Sequence, residues 1–62
     1  MEIGVVVRLK SGSSMLTITH KSSPSDNGDE RVEVTWFDAN KGGFLTQIVP
    51  VSALVIIPDN ML

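Results

Sequence analysis

The chain has 62 residues, five lysines and arginines against seven aspartates and glutamates, one histidine and no cysteine. A chain this short buries only about 60% of the surface its unfolded form exposes, which leaves room for one domain, residues 1–62, with a thin stability margin. Disulfides, thiolate metal sites and a zinc site on His20 alone are excluded, and a net charge of -2 argues against strong non-specific binding to nucleic acid, whose phosphates need clustered cations.

Residues 3–10 read as a first strand, because Val5-Val6-Val7 is a β-branched run that suits a pleated surface. Ser11-Gly12-Ser13-Ser14 is a tight polar turn. Met15-Leu16-Thr17-Ile18-Thr19-His20 alternates, with Leu16, Ile18 and His20 predicted on one face and Met15, Thr17 and Thr19 on the other. Both faces carry apolar atoms, so the pattern leaves the buried one open. Residues 21–30 form a long polar loop with Pro24 and Asn27-Gly28, and its tip is expected to be mobile.

Arg31-Val32-Glu33-Val34-Thr35-Trp36-Phe37 is the clearest strand, with Val32, Val34 and Trp36 on one side and Arg31, Glu33, Thr35 and Phe37 on the other. Asp38-Ala39-Asn40-Lys41-Gly42-Gly43 turns the chain into a fourth strand over residues 44–49, which Pro50 closes. Residues 50–54 have the length of one 3₁₀ turn, and a last strand over residues 54–57 ends at Pro58. No segment holds a 3.6-residue period, so no α-helix is expected. Five short antiparallel strands with a 3₁₀ turn before the last describe an all-β, SH3-like barrel. Closure of the sheet would limit the exposed edges through which an apolar chain aggregates.

Arg8-Leu9-Lys10-Ser11-Gly12, with Met15 and Thr17 downstream, Trp36-Phe37 and Leu54, resembles the YodC-like family of small bacterial proteins over most of the chain. Members usually carry an acidic residue after the glycine of the first strand, where this chain has Gly4-Val5, and often Gly-Pro where it has Ser13-Ser14. The resemblance implies a fold and no established activity. A second, shorter one covers Gln47-Ile48-Val49-Pro50-Val51-Ser52-Ala53-Leu54, which is similar to the last strand of the type II dihydrofolate reductases. Those are SH3-like tetramers that hold folate and NADPH in a central pore. Gln47 and Ile48 match its lining, whereas Val49 replaces a tyrosine and Leu9, beside Lys10, replaces a lysine.

Trp36 and Phe37 are the leading candidates for partner binding, since neighbours on a strand face opposite ways. Either Trp36 completes the core and Phe37 lies under a loop, or Phe37 is an exposed anchor of the kind interfaces favour. Gln47, Ile48 and Val49 join them: Gln47 sits either at a subunit contact, hydrogen-bonded there, or on the outward side of an edge strand. Arg8, Lys10 and Lys21, with Lys41 near, are candidates for a basic patch, although five cations give little electrostatic reach. His20 is read as structural or solvated, and Asp26, Asp29 and Glu30 as a solvated acidic loop, because their spacing is not that of a calcium loop.

The expectation is therefore a non-catalytic interaction module. No catalytic residue, metal or cofactor is assigned. The expected partner is a second copy of the chain or another protein, since self-association is the one staple left to a scaffold this small. Nucleic acid is a less favoured partner. Met1-Glu2-Ile3-Gly4 lacks the basic start of a signal peptide, and the longest apolar run, residues 53–57, is too short for a bilayer. A membrane partner is not expected, and the lack of cysteine fits a reducing cytoplasm, bacterial or phage-borne.

Overall fold

The computed structural model describes residues 1–61. Five strands form one antiparallel sheet: β1 (Val6–Leu9), β2 (Leu16–Lys21), β3 (Arg31–Asp38), β4 (Gly43–Pro50) and β5 (Leu54–Ile56), in the order β4-β3-β2-β1-β5. A 3₁₀ turn, Val51–Ala53, precedes β5 and a second, Asp59–Met61, follows it. No α-helix occurs among the described residues, so the all-β class and the 3₁₀ turn stand as expected.

The first strand is shorter than the valine run suggests, and Gly4 is the reason. Its amide donates to the Ile18 carbonyl at 2.7 Å, while the Ile18 amide donates to the Val5 carbonyl at 3.0 Å. Two residues thus oppose one. Val5 also donates back to the Glu2 carbonyl at 3.3 Å, closing a four-residue turn with Gly4 third. That position needs a positive φ, and Gly4 has +93°. Regular pairing therefore begins only at Val6, opposite Thr17.

A second irregularity falls in β2. Ile18 pairs with Val34 but His20 pairs with Glu33, so Thr19 is the extra residue of a bulge. The bulge corrects the predicted alternation: Leu16 and Ile18 are buried, whereas His20 turns to the outer face beside Glu33. Thr19 uses its hydroxyl on the outer face, 2.9 Å from the Thr35 hydroxyl.

Val7, Leu16, Ile18, Val32, Val34 and Leu54 make the core. Val7, Ile18 and Val32 reach 0% exposure although no helix covers the sheet. The sheet must coil on itself to achieve this, and its two ends meet the same cluster: Leu54 from β5, Val49 from β4. The expected closure is nevertheless incomplete. No ladder joins β4 to β5, so the cylinder is open and both strands are edges. The 3₁₀ turn between them takes the chain across the seam without pairing, with Val51 bonded to Glu30 and Ala53 to Lys10.

Candidate interaction surface

The β3–β4 ladder decides where the candidate residues go. Phe37 opposes Phe44, Thr35 opposes Thr46 and Glu33 opposes Ile48, all on the outer face. Val32, Val34 and Trp36 face inward against Val49, Gln47 and Leu45. The five candidates for partner contact are thereby split. Phe37 and Ile48 lie outside; Trp36, Gln47 and Val49 lie on the concave side.

The outer group is an exposed apolar patch. Phe37, Phe44 and Ile48 are 58%, 76% and 48% exposed, and the two phenyl rings meet edge to face, centroids 5.4 Å apart. Phe37 does not lie under a loop. Phe44 was missed by the sequence reading. The signal was available, because a four-residue turn over positions 39–42 sets Phe44 directly across from Phe37.

The concave side holds a groove of about 310 Å³, lined by Leu9, Leu16, Val34, Trp36 and Val49, with Gln47, Ser13 and Ser14 as its polar members. Trp36 is half-buried against the core. The groove can take an apolar group on the indole, with the Gln47 amide on one wall to accept or donate a hydrogen bond. Gln47 itself is exposed, and β4, its strand, is an edge.

The charged candidates do not gather. Arg8 and Lys10 lie toward the end of β1, Arg8 Nη1 donating to the Leu9 carbonyl at 3.1 Å. Lys21 ends β2 at the opposite end of the sheet, where its Nζ is 3.5 Å from Glu2 Oε2. His20 Nδ1 meets Glu33 Oε1 at 2.9 Å in an exposed cross-strand pair. The long loop is tied down rather than open: Arg31 donates to the Ser23 carbonyl at 3.0 Å and the Pro24 carbonyl at 3.4 Å, and Gly28 donates to the Ser25 carbonyl at 2.8 Å. Ser25 also bonds the Asn27 side chain. Asp26, Asp29 and Arg31 border a broad concavity of about 560 Å³ above this loop, but the arginine already spends donors on the loop's own carbonyls. Among the described residues no three metal-ligating side chains come together, no polar or charged residue is buried, and no helix is long and apolar enough to cross a membrane.

Residues 2–53 match a family described as "Uncharacterized small protein (DUF2158)". The chain belongs to that family. The match takes in β1 to β4 and the 3₁₀ turn, and stops one residue short of the core residue Leu54. No curated protein matches the chain. No solved structure matches it either.

Proposed function

We propose that this member of the family is a small non-catalytic interaction module, self-associating, whose working surface is the β3–β4 hairpin. The observation that carries the reading is the outer patch of Phe37, Phe44 and Ile48: three large apolar side chains, each about half exposed or more, on one face. Fully burying an exposed side chain of this kind recovers about 1.5–3 kcal/mol, of which roughly half to three-quarters is still to be gained at each of these, and exposed apolar surface on this scale marks contact sites. The missing cysteine suits a reducing cytoplasm, where we place the module.

Light scattering on the purified chain over a range of concentrations tests this. The wild type is expected at more than one chain's mass, and Phe44→Ser is expected to weaken the association at least tenfold while leaving the circular dichroism unchanged. A single-chain mass at every concentration overturns the self-association.

The groove at Trp36 favours a second reading, a ligand site akin to the pore of the type II reductases. Gln47 and Val49 face the groove but Ile48 does not, so the run they share cannot form one lining within a chain. Mixing the protein with dihydrofolate and NADPH and following NADPH absorbance separates the readings. We expect no turnover; turnover replaces the non-catalytic reading.

A further inference from the structure

The hydrogen-bond phase of β4 can be fixed. The Val51 amide donates to the Glu30 carbonyl at 2.9 Å, in register with the β3–β4 ladder. Directly opposed pairs alternate between bonded and unbonded, so the odd-numbered residues of β4 bond to β3. The other side of β3 agrees: the Ser22 amide donates to the Arg31 carbonyl at 3.1 Å, which commits odd-numbered residues at that end of β3 to β2 and leaves the even ones for β4. The main-chain N–H and C=O groups of Phe44, Thr46 and Ile48 therefore point out of the sheet at its free edge. Pro50, which has no N–H to offer, falls on the same side, where a proline is tolerated.

Apart from Pro50 at its end, this edge lacks the usual protection. Edge strands are blunted by charge, by shortness or by bulges. β5, the other edge, is three residues long. β4 is eight residues long, paired to β3 without a bulge, and has no charged residue in Gly43-Phe44-Leu45-Thr46-Gln47-Ile48-Val49-Pro50. The chain also exposes 4324 Å², where a free-standing monomer of 6.7 kDa exposes about 3,900 Å².

We infer that two copies of this chain join through β4, antiparallel, about a two-fold axis at Thr46, making one continuous sheet of the two. This deepens the self-association proposed above and rests on it. A two-fold axis normal to the sheet keeps each copy's outer face on the same side, so only registers that pair a residue with its own copy are allowed. Centred on Thr46, the register pairs Phe44 with Ile48 of the second copy and Thr46 with itself, and it satisfies every free donor of Phe44, Thr46 and Ile48. Centred on Phe44 it would call on Gly42, whose amide already donates to Asp38 at 2.8 Å. Centred on Leu45 it would call on Gly42 again, opposite Ile48, and centred on Ile48 it would leave Phe44 without a partner. Centred on Gln47 it would set Ile48 against Thr46 and Phe44 against Pro50, whose missing N–H leaves the Phe44 carbonyl unpaired and loses both apolar cross-strand pairs. The Thr46 register also lays Phe37 and Phe44 of one copy beside Ile48 of the other on the outer face, so the apolar patch becomes continuous across the axis.

The test uses charge at the axis. Thr46→Lys sets two ammonium groups on Cα atoms about 5.5 Å apart, and Thr46→Glu does the same with carboxylates; neither touches the core or the bonds to β3. Wild type is expected at twice the 6.7 kDa chain mass, each variant alone at the single-chain mass, and an equimolar mixture of the two back at twice. The mixture's rescue reads the axis directly, since it requires residue 46 to face residue 46. Far-ultraviolet circular dichroism checks that each variant is folded, and Thr17→Lys, on the same outer face but away from β4, is the control expected to stay at twice the mass. A wild type of single-chain mass overturns both the geometry and the self-association. A wild type at twice the mass whose variants keep that mass, or whose mixture fails to regain it, overturns the β4 geometry alone.

Discussion

Gly4 and Gly43 make a matched pair of residues. Neither has another atom within 4 Å of where a Cβ would stand, so packing is not at stake in either. Gly4 has φ of +93°, where a side chain strains the backbone, and Gly43 does not lie in that region. Gly4→Ala is therefore expected to cost about 1–2 kcal/mol, and Gly43→Ala to gain roughly 0.4–1 kcal/mol by restricting the unfolded chain. Urea denaturation midpoints should move in opposite directions; a Gly4→Ala midpoint at or above that of wild type would refute the turn at Gly4. At this scale the sequence was informative about type and weak about purpose. A glycine ahead of a valine run could be seen, but its bulge partner, Ile18, is a tertiary fact.

At the scale of elements, the number and places of the strands along the chain followed from local pattern, while their ends followed from pairing. The His20 assignment shows why. Alternation counts every residue equally, and one extra residue at Thr19 reverses the face of everything after it. Nothing in Thr17-Ile18-Thr19-His20 announces the bulge. The loop between β2 and β3 was similarly opaque: its length suggested mobility, but Arg31 clamps it through two loop carbonyls. These are exposed hydrogen bonds from a charged donor, together worth on the order of 1 kcal/mol. Arg31→Ala is expected to speed amide exchange over residues 22–30 several-fold and leave Ile18 and Val34 unchanged. Equal rates in wild type and variant would show that the clamp does not hold the loop.

For the whole molecule, size governs. The Cα radius of gyration is 11.7 Å, against about 10.6 Å for a compact chain of this length. The difference is what an open rather than a closed cylinder produces. A core this small supplies roughly 3–5 kcal/mol at most, so individual core residues decide folding. Ile18, fully buried, is expected to be one of them: Ile18→Ala costs about 2–5 kcal/mol and should leave the chain unfolded at room temperature, while Ile18→Val costs about 0.5–1.5 and should not. Circular dichroism reads both. Retention of full sheet signal in Ile18→Ala would mean that burial elsewhere, such as a second copy on β4, carries more of the stability than the core does.

From its residues alone this chain announced an all-β domain, five strands, a 3₁₀ turn and the two aromatics that face apart, because alternation, β-branching, glycine and proline act over a few residues. Three-dimensional pairing alone decided that the cylinder stays open, that the Phe37–Phe44 pair lies outside while Trp36 looks inward, and that β4 rather than β5 is the long unguarded edge. Those outcomes depend on register, and register is set by bulges and turns that bring together residues far apart in the chain.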